Sequence, residues 1–207
     1  MTTRVGVLAL QGDVREHAAL LEGLGAEAVL VRRPEELATV GGLVIPGGES
    51  TTIDKLSRIF GLREPIQRAV REGMPVLGTC AGLILLADTV LDAIEGQQTF
   101  GGLDVVVRRN AFGRQTESFE ADLDVPELGD EPVHAAFIRG PVVESVGVAA
   151  TALASLPDGR VVAVEQGALL GLSFHPEISG ETRFHERFLA HAAAWSGSRH
   201  SDSLAIR

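Results

Sequence analysis

The chain has a single cysteine, at position 80, so it cannot close a disulfide within itself. For the same reason CxxC redox and zinc motifs are excluded. Long apolar runs are also missing: no stretch approaches the roughly 20 residues that span a bilayer, so no membrane association is expected. The opening residues MTTRVGVLALQGD contain only Val5 to Leu10 as an apolar run, with no small-residue cleavage site behind it. That is not a signal peptide, and a cytoplasmic location is the expectation. Basic residues are outnumbered, 18 Lys and Arg against 28 Asp and Glu, and the formal net charge of −10 argues against nucleic acid. Phosphate binding needs a basic face. The pairs Arg32-Arg33 and Arg108-Arg109 read first as solvated or locally paired surface.

What is present is a chain of 207 residues with 45% hydrophobic content, enough for one domain with a full core. Short β-branched runs alternate with longer amphipathic stretches in the first half. Strands are expected at Val5 to Leu10, Ala28 to Val31, Leu43 to Pro46 and Pro75 to Gly78. Between them the periodicity predicts helices over Val14 to Leu24 (capped by Asp13 and stopped by Gly25), Ile53 to Phe60, Glu64 to Glu72 and Gly82 to Thr89. Continuous apolar strands separated by helices imply a sheet buried on both faces.

After about Gly101 the pattern changes to short strands with few helices: Val105 to Arg108, Ser118 to Leu123, Ala135 to Ile138 and Val148 to Leu153. A hairpin is expected around Gln166-Gly167, joining Arg160 to Glu165 with Ala168 to Phe174, and a last helix over Glu181 to Trp195. The expected fold is α/β: a single-domain, doubly wound, mostly parallel sheet with flanking helices, plus antiparallel strands in the second half. One domain covers residues 1–195, and residues 196–207, small and polar, read as a mobile tail.

Three short motifs carry the chemistry. A lone cysteine is usually a small buried hydrophobe. Cys80, however, lies in Gly78-Thr79-Cys80-Ala81-Gly82, between an apolar strand and an apolar helix. That is the glycine-flanked layout of a nucleophile elbow, in which a sharp turn exposes the side chain at a helix N-terminus. The helix end stabilises a thiolate, and its free N–H groups bind a developing oxyanion. The second motif is Ser173-Phe174-His175-Pro176-Glu177, where the proline restricts the backbone so that the imidazole and the carboxylate can share one cleft. An imidazole takes the thiol proton and a carboxylate orients the ring. The third is Pro46-Gly47-Gly48-Glu49-Ser50, whose successive N–H groups can form an anion-binding concavity. Taken singly, each also fits a bland description: a buried thiol, a loop histidine with an unrelated surface Glu, an ordinary turn. Phosphate binding is a poorer reading, because neither GxGxxG nor GxxxxGK[ST] occurs.

In this order and on an α/β pattern, PGGES, GTCAG and SFHPE resemble the triad-type (class I) glutamine amidotransferases. The resemblance is closer to one family within them, the glutaminase subunits of pyridoxal 5′-phosphate synthase. It is carried by Gly6 to Gly12, Arg15-Glu16-His17, Pro46 to Thr52, Arg109 to Gln115, Ser118 to Ala121 and Phe137 to Arg139. The resemblance implies hydrolysis of L-glutamine by Cys80, with His175 as base and acid and Glu177 as its orienter. It further implies glutamine contacts at Gly47, Gly48, Glu49, Arg109, Ile138 and Arg139, and an oxyanion hole near Gly48 and Ala81. Gln11 and His17 would face the synthase subunit, which receives the ammonia. That partner implies a large hetero-oligomer of twelve synthase and twelve glutaminase subunits, with no cofactor on this chain. Two positions depart from the pattern. Ile84 stands where many amidotransferases carry Gln, which argues against the guanine, carbamoyl phosphate and anthranilate branches, and Gly140 stands where alanine is common. His134, His185, His191 and His200 lack metal-ligand spacing, so no metal is expected. A cysteine peptidase or esterase, and a binding module that has lost its chemistry, are the competing readings. The intact Cys, His and Glu weigh against the second. Glu49, Arg109 and Arg139, suited to the charged ends of an amino acid, weigh against the first.

Overall fold

The computed structural model describes residues 2–109, 111 and 118–195. In the first half, β1 (Arg4–Leu8), β2 (Glu27–Val31), β3 (Leu43–Ile45) and β4 (Val76–Thr79) alternate with helices. The helices are α1 (Val14–Gly23), α2 (Pro34–Leu37), α3 (Ser50–Ile59), α4 (Arg63–Arg71) and α5 (Ala81–Leu86). The second half holds β5 (Ala87–Leu91), β6 (Leu103–Arg108), β7 (Ser118–Leu123), β8 (Val133–Ile138), β9 (Val142–Val146), β10 (Thr151–Ser155), β11 (Val161–Gln166) and β12 (Leu169–Leu172). The chain then forms the single turn α6 (Pro176–Ser179) and α7 (Arg183–Ala194).

The large sheet runs β2-β1-β3-β4-β12-β11-β9-β6-β5, with β10 attached to β11. From β2 to β12 every pairing is parallel, and β11, β9 and β10 join antiparallel. Strands β7 and β8 form a separate antiparallel ribbon. Alternate residues of the central strands serve opposite faces. Leu43 and Ile45 pack with Ile53, Leu62, Ile66 and Leu83 on one side. Val44, Val7 and Leu77 pack with Leu21, Phe184 and Phe188 on the other. A sheet covered on both faces explains why its strands read as unbroken apolar runs. An aromatic series, Phe119 on Phe137 on Phe174 on Phe184, with ring centroids 4.6, 5.6 and 5.5 Å apart, ties the ribbon to α7.

Some expectations need correction. The helix expected over Gly82 to Thr89 stops at Leu86, where Ala87 turns extended and the chain enters β5 against β6. Pairing with a neighbouring strand outweighs the local apolar pattern there, and the β-branched Thr89-Val90 suits it. Strand β9 was not anticipated, because its short Val142-Val143 core follows Gly140-Pro141 and resembles a turn. The strand expected from Val148 begins at Thr151, and Val148 itself is wholly exposed. The proposed tail, residues 196–207, lies outside the described residues. Among the described residues no helix is long and apolar enough to cross a membrane.

The parallel strands β1, β3, β4 and β12 end at the same edge of the sheet. The loops beyond them hold Gln11 to Asp13, Gly47 to Glu49, Cys80, and Ser173 to Glu177. The carboxyl edge of a parallel sheet is where ligands bind in such folds.

Candidate active site

Cys80 occupies the turn between β4 and α5 with φ 48° and ψ −97°, a conformation that an L residue holds only when its surroundings impose it. Its N–H donates to the Leu172 carbonyl at 2.7 Å, and its own carbonyl accepts from the Ile84 N–H at 3.3 Å. The flanking glycines are steric requirements. A Cβ on Gly82 would run into the Ile45 carbonyl oxygen, and one on Gly78 would sit 2.6 Å from the Gly82 carbonyl carbon. Here β3, β4 and α5 meet backbone to backbone. The side chain is not open as an elbow suggested: Cys80 is only 8% exposed. Its thiol is within hydrogen-bonding reach of the His175 ring. Ala81 begins α5, so its N–H is among those a helix leaves without an internal partner.

His175 follows β12 and is fixed through its N–H to the Ala136 carbonyl of β8, at 3.0 Å. Pro176 opens α6, and one residue on, Glu177 turns back so that its Oε1 lies 2.8 Å from His175 Nδ1. The Glu177 side chain is completely buried. Burial alone would lower the His175 pKa, but hydrogen bonds with Asp13, Cys80 and Glu177 outweigh it and push the value up to about 12. Burial raises the Glu177 pKa against the pull of His175. The ring is therefore built to carry charge between a carboxylate and a thiol.

Asp13 is a site residue that sequence reasoning placed elsewhere. It stands at the start of α1, yet its side chain makes no capping bond. Its Oδ2 lies 3.4 Å from His175 Nδ1 instead. Asp13, His175 and Glu177 bring possible metal-ligand atoms within 4.8 Å of one another. Three such donors fall short of a structural zinc set, and the Nδ1 is already engaged by Glu177.

The Gly47-Gly48 turn packs directly over this centre. A Cβ on Gly47 would intrude on the His175 ring and lie 2.7 Å from Asp13 Oδ2. Gly48 has φ 154°, and a Cβ there would lie 2.5 Å from Gln11 Oε1. That same Gln11 oxygen accepts the Glu49 N–H at 2.7 Å. Gln11 thus grips the turn from the neighbouring loop, and Asp13 N–H donates to the Gly47 carbonyl at 3.1 Å.

In front of the turn, Glu49 Oε1 receives Arg109 Nη2 at 3.2 Å and the Thr51 hydroxyl at 3.0 Å. Arg109 Nη1 donates to Gln97 Oε1 at 2.7 Å, and Gln97 Nε2 donates to the Ser50 hydroxyl at 3.0 Å. Gln97 gave no signal in the sequence, since a lone glutamine in a loop has none to give. Ile138 is half-exposed at the end of β8, two residues beyond the contact with His175. Arg139 follows it in the left-handed region, at φ 50°. Residues 110 and 112–117, which include most of the expected Arg109 to Gln115 stretch, lie outside the described residues.

The expectation that His17 faces a partner is corrected by its burial, with 0% exposure. Its Nδ1 is 2.9 Å from His185 Nε2, and its Nε2 is 3.1 Å from Thr79 Oγ1. A wholly buried ring cannot be part of a docking surface.

An elbow nucleophile, an imidazole–carboxylate pair and a glycine turn above them fit several hydrolase families. Sequence comparison decides among them: the SNO glutamine amidotransferase family matches residues 7–194. The chain belongs to this glutamine amidotransferase family. Among its relatives is the pyridoxal 5′-phosphate synthase subunit PdxT of Leifsonia xyli subsp. xyli, 68% identical over 90% of this chain and 94% of that protein. The subunit of the same name from Streptomyces coelicolor is 60% identical over 90% of this chain and 92% of its own length. A crystal structure of a glutamine amidotransferase superposes with a TM-score of 0.85 at 48% identity, over 91% of this chain and 98% of that one. PurLQS from Thermotoga maritima, at 18% identity and a TM-score of 0.67 over 92% of this chain and 99% of that one, shares the fold alone. The family's α/β architecture, with a mostly parallel sheet, flanking helices and a small antiparallel sheet, is the one expected from the sequence.

Proposed function

We propose that this chain is the glutaminase subunit of a pyridoxal 5′-phosphate synthase. It hydrolyses L-glutamine to L-glutamate and ammonia in the cytoplasm and passes the ammonia to the synthase subunit. Residues 1–195 act as one glutaminase domain, and the assembly is a hetero-oligomer of twelve subunits of each kind. The names of the relatives at 57–69% identity support the pathway. The observation that carries the chemistry is the fully buried Glu177 bonded to a His175 ring that itself reaches Cys80.

In the first step the sulfur of Cys80 attacks the side-chain carbonyl carbon of glutamine while the charged His175 ring beside it holds the thiol's proton. The oxyanion is received by N–H groups at Gly48 and Ala81. His175 then returns the proton to the leaving nitrogen, the C–N bond breaks, and ammonia departs from a glutamyl thioester. Water, deprotonated by the same imidazole, releases glutamate and restores the thiol. Each proton moves through His175, which Glu177 holds in one tautomer and stabilises when charged. Glu49 receives the α-amino group of glutamine and Arg109, with Arg139, its α-carboxylate, while Ile138 lines the mouth. No cofactor takes part.

Gln11 couples this site to the partner. Its hold on the Glu49 N–H fixes the turn that bears Gly48, so docking at the loop that carries Gln11 can set the oxyanion hole. The test is to incubate the chain with glutamine, with and without the synthase subunit, and to follow ammonia and glutamate. Release should depend strongly on the partner and vanish in Cys80→Ala. Turnover of esters or peptides, with no ammonia from glutamine in either condition, would refute the assignment.

A further inference from the structure

Behind the triad lies a chain of buried polar groups that the mechanism above does not use. Glu177 spends Oε1 on His175, while Oε2 has no hydrogen-bond partner among the described residues. His17 Nε2 lies 3.5 Å from that oxygen. His17 contacts Thr79 Oγ1 through the same nitrogen and His185 Nε2 through the other. All the side chains concerned are buried: His17, His185 and Thr79 are 0% exposed. His185 Nδ1 has no hydrogen-bond partner among the described residues. Thr79 immediately precedes Cys80, so the chain touches the nucleophile's strand as well as the carboxylate.

The protonation of the two imidazoles follows from what they face. Burial foremost, then the proximity of His185 and His175, holds the His17 pKa well below its usual value. Burial lowers His185 to about 4, against a small opposing pull from Glu181. Both rings are therefore neutral at pH 7, and each carries one N–H. Two tautomer arrangements satisfy the 2.9 Å contact between them. In one, His185 Nε2–H donates to His17 Nδ1, and His17 presents its Nε2–H to Thr79 Oγ1 and Glu177 Oε2. In the other, His17 donates to His185 and turns a lone pair toward the buried carboxylate. The first turns an N–H toward Glu177 Oε2 across the 3.5 Å separation, and the second sets two electron-rich atoms against each other. A buried carboxylate oxygen selects the first.

We propose that His17 is a positioning residue for the triad: its Nε2–H, held in place by His185, faces Glu177 Oε2 and keeps that carboxylate ionised and aligned on His175. This rests on the triad reading above. The groups that face the Glu177 carboxylate are His175, His17, Asp13 and the backbone N–H of Glu177 itself, and those that face the histidine pair are Glu177, His175 and Glu181. His175 turns its Nδ1 to Oε1, and Asp13 has no N–H on its side chain, so His17 is the side chain among them that turns an N–H toward Oε2. Without His17 the buried carboxylate loses the side-chain N–H that faces Oε2, and an N–H aimed at a carboxylate favours its charged form.

The experiment compares His17→Leu with His17→Gln, each assayed as the complex with the synthase subunit. Leu removes the donor. Gln restores an N–H close to the Nε2 position. Expected for Leu is a fall in kcat of at least about tenfold with KM for glutamine unchanged, and an acid limb of the kcat profile moved to higher pH. Expected for Gln is recovery of most of that loss. Equal activity of wild type and Leu would overturn the proposal, as would equal losses in Leu and Gln at matched melting temperature. A second reading needs no variant and no turnover. The ¹⁵N shifts of the wild-type imidazoles at pH 7.5 should show His17 protonated at Nε2 and bare at Nδ1. A charged His17, or a proton on Nδ1, contradicts the proposal even if His17→Leu fails to fold. If wild type released no ammonia while the tautomer proved correct, the glutaminase assignment would fall and the positioning geometry would stand.

Discussion

The front and the rear of this site are built from different physics. In front, Glu49 is 55% exposed on its side chain and pairs with Arg109 across 3.2 Å, at the edge of solvent. At the rear, Glu177 and His17 are sealed at 0% exposure. A charged pair with one partner open to water is partly screened and exchangeable, although Arg109 itself is 10% exposed, and that suits the proposed contacts with glutamine. A buried polar chain cannot be rearranged cheaply, and that suits groups whose alignment must be ready before substrate arrives. The lesson is a division of labour: changes at the front should appear in KM, and changes at the rear in kcat.

The largest effect should come from the rear. Glu177→Gln keeps the shape of the carboxylate but offers His175 Nδ1 an ambiguous partner, and kcat should fall about 10³-fold or more with KM little changed. In wild type, burial raises the Glu177 pKa above its usual 4.5. Activity that needs the ionised carboxylate is therefore present above that raised value and lost as pH falls through it. Glu177→Gln should lose this acid limb, which a pH profile of kcat would show. A KM effect of similar size to the kcat effect would break the division.

The front should respond more weakly and in the other parameter. Arg109→Ala removes the partner of Glu49 and Gln97, and KM for glutamine should rise about 10- to 100-fold, the worth of a hydrogen bond to a charged group, with kcat within a few-fold. Raising the salt concentration should raise the wild-type KM and leave kcat almost unchanged. Steady-state kinetics at two ionic strengths checks both statements.

Part of this contrast was legible in the sequence. The front motif and the elbow could be read because glycines announce close backbone approach, as Gly47, Gly78 and Gly82 do here. His175 and Glu177 could be read because Pro176 binds them into one short motif. The parallel half of the sheet was legible from its apolar runs, and β9 was not, since two valines after a Gly-Pro pair carry too little pattern. The histidine pair behind Glu177 could not be read at all. His17 and His185 are 168 residues apart, and nothing local to either reveals that α1 and α7 bring them within 2.9 Å. Asp13 was legible as a helix-starting residue, and only the fold shows its carboxylate turned to His175.

The smallest effect should lie outside both regions. Arg187 of α7 grips Glu165 of β11 through Nε at 2.8 Å and Nη2 at 2.7 Å, with His191 at 3.2 Å. Partial burial would raise the Glu165 pKa, but Arg187 and then His191 outweigh it and hold the value below 4.5. The stability this contributes is present above pH 4.5 and is lost as pH falls through the lowered value. Arg187→Ala should cost about 1–3 kcal/mol at pH 7 and less at pH 3, with kcat and KM both unchanged. Thermal denaturation at the two pH values measures it.

The central claim is that Cys80 forms a covalent bond to the glutamine side-chain carbon. A diazoketone analogue of glutamine, added to the chain in complex with the synthase subunit, places an alkylating carbon beside that carbonyl, where the leaving nitrogen sits, and binds the thiol with loss of dinitrogen. Intact-mass measurement and peptide mapping should find one adduct per chain, on Cys80, suppressed by excess glutamine. An adduct on another residue, or none while the same preparation releases ammonia from glutamine, would contradict it.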